Sequence, residues 1–128
     1  MVVEEILKSK GREVHLVSAD SSLQVAAAIM LNRNIGALVC DDGAGGVVGI
    51  ISEREVTRAM ALYGAEAVNR SVRQCMNRDV VACHGDDQPD HLLAIMTEAH
   101  CRHLPVMREG QVVGLVSIGD LVKAEHHL

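Results

Sequence analysis

Aromatic residues are almost absent from this 128-residue sequence, which has one tyrosine, Tyr63, and no phenylalanine or tryptophan. Proteins that bind single-stranded nucleic acids commonly stack the bases on aromatic side chains, so the usual platforms of that kind are excluded. The net charge of −5 also disfavours a nucleic-acid partner. Because 48% of the residues are hydrophobic, the chain can still build a core, and that core must be aliphatic.

Long apolar runs are also missing. No stretch approaches the roughly 20 apolar residues of a transmembrane helix. The first ten residues include Glu4 and Glu5 and have no apolar segment of the signal-peptide type. The four cysteines are irregularly spaced, without a Cys-x-x-Cys pair, and this favours a reducing compartment over a disulfide framework. Together these absences predict a cytoplasmic protein without a membrane partner.

Residue types that bind metals or carry out catalysis are present, but not in a recognised arrangement. Cys83 is followed by histidine, and His100, Cys101 and His103 lie close together in the sequence. These spacings match no standard zinc module, and nothing places a base beside a cysteine. The glycine-rich stretch 43–46 lacks the Lys-Ser/Thr ending of a phosphate loop. The sequence therefore predicts neither a metal site nor an enzyme.

The most informative feature that is present is an internal repeat. Gly49 and Ser52 recur 65 positions later as Gly114 and Ser117, each pair in or directly after a short apolar run. Such a run favours a buried strand. A serine after it is a preferred helix N-cap, and the acidic residue three positions later suits the first helical turn. Earlier positions repeat at an offset of 66, among them Val14 with Val80, Asp20 with Asp86 and Leu38 with Leu104.

The repeated pattern predicts a strand–helix–strand–strand–helix unit that occurs twice. In the first copy, Asp20 or Ser21 is expected to cap a helix that ends at Asn34. That helix is expected to bury one apolar face, which consists of Leu23, Ala27, Met30 and Leu31. The predicted elements are a weak helix 2–10; strand 14–17, helix 23–33, strands 37–40 and 47–51 and helix 52–62; a connector 65–75; and strand 80–83, helix 89–99, strands 103–107 and 111–116 and helix 117–125.

This organisation predicts a mixed α/β (α+β) fold of two pseudo-twofold-related β-α-β-β-α repeats. Each repeat alone is too small to bury its faces well, so the two sheets are expected to pack against each other. The predicted domains are residues 1–66, the N-terminal helix with the first repeat, and residues 67–128, the connector with the second repeat.

The duplicated unit resembles a tandem pair of cystathionine β-synthase (CBS) domains, a Bateman module, here expected to be a stand-alone protein. The resemblance is carried by the stretches Val47–Val56 and Val112–Val122 and by Arg102–Val106, which is similar to the family's second strand. It implies regulation and not catalysis. Such modules bind adenosyl ligands (AMP, ADP, ATP, NAD(H) or S-adenosylmethionine) in two clefts between the repeats.

The resemblance also implies a set of site residues. The family's Ser/Thr-x-x-Asp motif, with its Asp on the ribose hydroxyls, is complete in Ser117 and Asp120, whereas the first repeat has Ser52 with Glu55. We therefore predict unequal clefts, in which Asp120 matters more. Basic residues expected near phosphate are Arg54, Arg102 and His103. The resemblance assigns the base-binding wall of the Asp120 cleft to His15, Ile35, Gly36 and Ala37, and that of the Glu55 cleft to Val81 and Cys101–His103.

The function expected from the resemblance is that of a sensor of adenine nucleotides. AMP is the first choice of ligand, with NAD(H) or ATP as alternatives, and the module would signal to an unidentified downstream protein. A homodimer is expected, with contacts through helices 52–62 and 117–125 at Val56, Met60, Leu121 and Val122. Because the serine–carboxylate spacing is also that of a helix capping box, an alternative remains open. In it the clefts are vestigial and the chain is an apo protein-interaction module.

Overall fold

Residues 1–125 are described by a computed structural model of the chain, and they form α-helices and β-strands in the predicted mixed order. The α+β fold with two small sheets is confirmed. The elements are α1 Val3–Lys10, β1 Leu16–Ser18, α2 Leu23–Arg33, β2 Ala37–Asp41, β3 Val47–Ser52, α3 Glu53–Tyr63, a 3₁₀ helix Gly64–Asn69, α4 Val72–Cys75, α5 Pro89–Ala99, β4 His103–Arg108, β5 Gln111–Ser117 and α6 Ile118–Glu125.

The chain divides into two compact units, and the division differs from the predicted boundary after residue 66. The first-repeat unit consists of residues 15–80, so it keeps the connector and α4. The second-repeat unit consists of residues 1–14 together with the chain from Val81 onward. Helix α1, which the sequence analysis grouped with the first repeat, therefore packs with the second.

The first-repeat unit is built on a three-stranded sheet in the order β1-β2-β3. Strand β2 lies in the centre, parallel to β1 and antiparallel to β3. Its residues Ala37 to Cys40 are all buried, as expected for a strand that is paired on both edges and covered on both faces. Helix α2 and its neighbours complete a core of aliphatic side chains and one thiol, Cys40.

Helix α2 has the predicted bounds but a different cap and a different buried face. The Oγ of Ser22, and not Asp20 or Ser21, accepts a hydrogen bond from the Val25 N–H at 3.2 Å. The helix ends at Asn34, which adopts the left-handed conformation with φ 53°. Leu23 and Met30 are buried as predicted, but Leu31 is 81% exposed and Ala26 is buried in preference to Ala27. The residues that are buried are Leu23, Ala26 and Met30.

The second-repeat unit has a two-stranded sheet, β4-β5, and the predicted third strand 80–83 is reduced to one bridge between Cys83 and Val106. A proline explains the difference. In the first repeat the Val39 N–H donates to the His15 carbonyl at 3.0 Å. The equivalent position in the second repeat is Pro105, which has no N–H to donate. Parallel pairing is therefore confined to Cys83, whose N–H donates to the Pro105 carbonyl at 2.9 Å.

Each unit contains a strand glycine that is covered by a neighbouring segment. A Cβ on Gly49 would lie 2.6 Å from the Met76 Sδ and 2.8 Å from the Asn77 carbonyl oxygen. A Cβ on Gly114 would lie 2.7 Å from a Leu7 methyl carbon. The segment before the second repeat thus covers the first, and the segment before the first repeat covers the second.

Burial separates the four apolar residues that suggested a dimer interface. Leu121 is fully buried in the core of the second-repeat unit, so its assignment to an interface is wrong. Val56 packs against the core of the first-repeat unit. Met60 on α3 and Val122 on α6 are 54% and 41% exposed. Only the last two are thus available to a partner.

Candidate functional site

The carboxylate of Asp120 lies in the first turn of α6, where Ser117 ends β5 and caps the helix. The Asp120 N–H donates to the Ser117 Oγ at 3.1 Å, and the Ser117 N–H donates to the Asp120 Oδ2 at 2.8 Å. These reciprocal bonds form the capping box expected from the spacing. The strand fixes the serine and the helix fixes the aspartate, so the carboxylate has a defined orientation.

A lysine that the sequence analysis did not single out also binds this carboxylate. Lys10, the last residue of α1, donates from its Nζ to the Asp120 Oδ2 at 2.7 Å and to the Leu115 carbonyl oxygen at 2.8 Å. The side chain of Asp120 is 20% exposed and that of Lys10 is 38% exposed. The Ser117 amide and the Lys10 ammonium both donate to the same oxygen, Oδ2.

Electrostatics keep Asp120 ionised. Burial acts to raise its pKa, but the Lys10 ammonium, the Ser117 amide and the Ser117 hydroxyl together outweigh burial and hold the pKa below its ordinary value. At neutral pH the site therefore presents a charged, partly buried carboxylate with a cation beside it.

The equivalent carboxylate of the first repeat, Glu55, has a different environment. Its Oε1 accepts hydrogen bonds from the Ser52 N–H at 2.7 Å and from the Ser52 Oγ at 2.6 Å. Because a glutamate side chain is one methylene longer than that of aspartate, Glu55 folds back over its own capping serine and accepts the hydrogen bond of the Ser52 hydroxyl. Its two hydrogen bonds from Ser52 thus contrast with the bond that Lys10 donates to Asp120.

Other predicted site residues lie next to the same repeat's motif. Gly36 accepts at its carbonyl oxygen from the Glu53 N–H at 3.1 Å, and Arg102 accepts in the same way from the Ile118 N–H at 2.9 Å. Ala37 pairs in register with Ser52, and His103 pairs with Ser117. Each repeat thus brings the start of one strand to the start of its motif helix.

The remaining predicted site residues lie at the edges of the two cores or on the surface. His15 lies just before β1 and is half-buried, and Ile35 packs on the core of the first-repeat unit. Val81 and Cys101 pack on the core of the second-repeat unit. Arg54 and Arg102 have exposed side chains. The predicted grouping of Asp120 with His15, Ile35, Gly36 and Ala37 joins residues of two units and stays a prediction.

A cavity lies beside Asp120 within the second-repeat unit. Its volume is about 480 Å³. Its walls come from α1 and α6 and combine aliphatic side chains with two ammonium groups and one carboxylate: Met1, Ile6, Ser9, Lys10, Asp120, Val122, Lys123 and Ala124. An apolar pocket with a few polar anchors is the usual form of a small-molecule site.

The cysteines show no sign of activation. Burial raises the pKa of both Cys40 and Cys83 to about 12, so these thiols are protonated and unreactive at neutral pH. Among the described residues, no three His, Cys, Asp or Glu side chains are grouped closely enough to hold a metal ion. None of the helices within residues 1–125 combines the length and apolar character required to cross a membrane.

Lys10 could not have been singled out from the sequence. A lysine in the last turn of a helix is common, because it interacts favourably with the helix dipole. Only the structure shows that Lys10 reaches the edge of strand β5, at the Leu115 carbonyl. The Ile50 carbonyl of the first repeat, equivalent to that of Leu115, accepts from the Asn77 backbone N–H at 2.8 Å. A side-chain ammonium thus replaces a backbone amide.

Comparison with known proteins now gives the family. The profile of the CBS domain matches residues 3–62 and again residues 72–127. The chain belongs to the CBS-domain family. A CBS-domain-containing protein of Agrobacterium tumefaciens, solved as a crystal structure, is 40% identical, with a TM-score of 0.94 over 98% of this chain and 99% of that one. The resemblance stated from the sequence is confirmed.

Two further relatives of this CBS-domain chain are informative. A 17.7 kDa protein of Acidianus ambivalens is 34% identical over 88% of this chain. A CBS domain pair solved in complex with 5′-methylthioadenosine and S-adenosyl-L-methionine is 26% identical, with a TM-score of 0.84 over 98% of this chain and 96% of that one. The chain spans about two thirds of the length of the first curated relatives that it matches, 67% in the Acidianus ambivalens protein.

Proposed function

We propose that this CBS-domain pair is a regulatory module that binds an adenine nucleotide at Asp120 and Ser117, with AMP as the first choice and NAD(H) or ATP as alternatives. The observation that carries the proposal is the state of Asp120. It is an ionised, oriented and partly buried carboxylate whose Oδ1 is used neither by the Ser117 amide nor by Lys10.

Ribose hydroxyls are suited to this carboxylate. A diol donates one or two hydrogen bonds to a charged acceptor, and such charge-assisted bonds are stronger than neutral ones. Arg102 and His103, at the start of β4, are proposed to contact phosphate. The base would lie against His15, Ile35, Gly36 and Ala37. The chemistry of the solved relative supports this assignment, because both ligands of that complex, 5′-methylthioadenosine and S-adenosyl-L-methionine, contain an adenosyl group.

The second cleft, with Ser52, Arg54 and Glu55, is proposed to bind more weakly. Its base wall would come from Val81 and Cys101–His103. A ribose there would have to compete with the two hydrogen bonds that Ser52 donates to the Glu55 Oε1. The way Glu55 folds back on its cap supports the proposed inequality of the clefts.

The test of this function is binding measured by calorimetry and thermal shift with AMP, ATP, NADH and S-adenosylmethionine. We expect Asp120→Asn to weaken AMP binding by about 1.5–3 kcal/mol, the value of a hydrogen bond to a charged group, or roughly 10- to 150-fold. Glu55→Gln is the matched control and should change the affinity less. Equal losses would contradict the inequality. An unchanged affinity in a folded Asp120→Asn variant would remove the ribose assignment and favour vestigial clefts.

Regulation requires that the ligand favours one arrangement of the protein through its differential affinity. We propose that the arrangement is read by a downstream protein and that the module acts as a homodimer through its exposed apolar residues, including Met60 and Val122. Sedimentation showing a monomer at micromolar concentration would contradict the dimer. The bound nucleotide should be recovered unchanged after incubation, since no catalytic group is proposed.

A further inference from the structure

We propose that Lys10 is a specificity-determining residue of the Asp120 site, and that it favours nucleotides with a 5′-phosphate over adenosyl ligands that are neutral or positively charged at that position. This inference rests on the proposed function, because it assumes that the ribose binds Asp120. It adds a residue from α1, outside the repeat motifs, and it states how one class of adenosyl ligand is preferred to another.

The contacts of Lys10 leave part of its ammonium group available. A lysine ammonium has three N–H donors. Two of them are used, one by the Asp120 Oδ2 at 2.7 Å and one by the Leu115 carbonyl at 2.8 Å. Because the Lys10 side chain is 38% exposed, the third donor is within reach of solvent and of an incoming anion. A ribose on the Asp120 Oδ1 would leave both existing bonds of Lys10 in place.

The charge of the pair decides which ligands fit. A lone Asp120 carboxylate would repel the phosphate of a nucleotide whose ribose it binds, because the phosphate is only one sugar ring away. Lys10 neutralises this charge at contact distance, and its four-carbon stem allows the ammonium to turn toward the phosphate. The same cation would repel a sulfonium group at the 5′ position. The attraction between the Lys10 ammonium and the phosphate therefore offsets the repulsion by Asp120, and this favours anionic ligands over neutral or cationic ones.

The cavity beside Lys10 and Asp120 also favours an anionic ligand. Lys10 and Lys123 both line it, and Asp120 supplies its one side-chain carboxylate. Ile6, Val122 and Ala124 contribute an aliphatic wall. The surroundings of Asp120 thus suit an anion attached to an apolar body.

The experiment is calorimetry on the wild-type protein and on three variants with AMP, adenosine and S-adenosylmethionine. In Lys10→Met we expect the ratio of AMP affinity to adenosine affinity to fall about tenfold, which corresponds to a change of 1.4 kcal/mol. The affinity for S-adenosylmethionine should rise relative to that for AMP. Lys10→Arg keeps the charge and should keep the ratio within a few-fold of the wild type.

Lys8→Met is the matched control, because Lys8 is an exposed lysine two residues earlier on the same helix. It should leave the ratio unchanged. The inference is overturned if Lys10→Met, folded by circular dichroism, keeps the wild-type ratio or weakens AMP and adenosine equally. Equal weakening of AMP and adenosine is the result expected if Lys10 has a purely structural role. If the wild-type protein binds none of the three ligands, the proposed function itself fails, and the two failures are thereby distinguished.

Discussion

The two repeats present the same strand edge and the same motif carboxylate to different partners. In the first repeat the Ile50 carbonyl accepts from a backbone amide, that of Asn77, and Glu55 accepts from its own capping serine. In the second repeat the Leu115 carbonyl and Asp120 share one lysine ammonium. Equivalent positions of the two repeats thus bind a backbone amide in one case and a side-chain ammonium in the other.

The two repeats therefore differ both in backbone pairing and in the surroundings of the motif carboxylate. The first repeat uses backbone bonds and a longer parallel pairing of β1 with β2, which make it the more regular structure. The second repeat loses strand pairing at Pro105 but gains a paired, ionised carboxylate. The following substitutions test this contrast, in order of the size of the expected effect.

The largest effect is expected for Leu7→Ala, which removes the side chain that covers Gly114. Leu7 is fully buried, and such truncations destabilise proteins by about 2–5 kcal/mol. Met76→Ala, the equivalent change in the first repeat, should have a smaller effect, because Asn77 still exchanges two backbone hydrogen bonds with Ile50. Urea denaturation followed by circular dichroism measures both.

Leu31→Ala is the control for this pair, because its side chain is 81% exposed and its loss should change the free energy of unfolding by no more than about 0.5 kcal/mol. If Met76→Ala were as destabilising as Leu7→Ala, the idea that backbone bonds hold the first covering segment in place would be wrong.

A smaller effect is expected from adding a methyl group at the covered glycines. Overpacking of this kind usually destabilises by about 1–3 kcal/mol. Gly49→Ala should lie at the upper end, since its Cβ would meet the Asn77 carbonyl oxygen at 2.8 Å, and a backbone oxygen cannot rotate away. Gly114→Ala should lie lower, because the Leu7 methyl groups can move. Thermal denaturation compares the two.

Gly119→Ala provides a control of opposite sign. The nearest atom to its Cβ would be the Ser117 Oγ at 3.6 Å, an ordinary contact. Alanine in a helix is more favourable than glycine by up to about 1 kcal/mol, so this variant should be neutral or more stable. A ranking in which Gly114→Ala is the most destabilising of the three would reverse the proposed difference between the repeats.

The smallest effect is a pH dependence at Asp120. Its pKa is lower in the folded protein, so the ionised form stabilises the fold. This stabilisation is fully present above the unfolded-state value of about 3.9 and is lost as the pH falls through the folded-state pKa. Asp120→Asn loses the ion pair with Lys10 and should therefore lower the free energy of unfolding by about 0.2–1 kcal/mol at pH 7, and the difference from wild type should shrink toward pH 3. A difference that stays constant with pH would contradict the ionised cap.

Much of the fold was predictable because local signals agreed with the tertiary structure. Helices α2 and α5 have the predicted bounds, and the left-handed Asn34 ends α2 as its residue type suggested. Two errors were local, the cap and the buried face of α2, and the others arose where a distant residue decides the outcome. Pro105 removes a donor from a strand pairing, and Leu7 draws α1 to the second repeat.

The candidate site was predictable only in part, for the same reason. The capping box of Ser117 and Asp120 follows from a spacing of three residues, which is a local property. The contact between Lys10 and Asp120 spans 110 positions, and no pattern in one sequence connects them. The charge state of the site thus depends on a residue that only the tertiary structure identifies.

The two covering segments also bear on how such a chain could arise. A gene that encoded one repeat with its own leading segment would produce a protein whose segment covers the glycine of a second copy, an exchange of the domain-swapping type. Fusion of two copies makes this exchange intramolecular, at an effective concentration of about millimolar. A substitution in α1 is therefore expected to disturb the packing at Gly114, more than a hundred residues away in the sequence. A substitution in or directly after α4 is expected to disturb the packing of the first repeat, which precedes it in the chain.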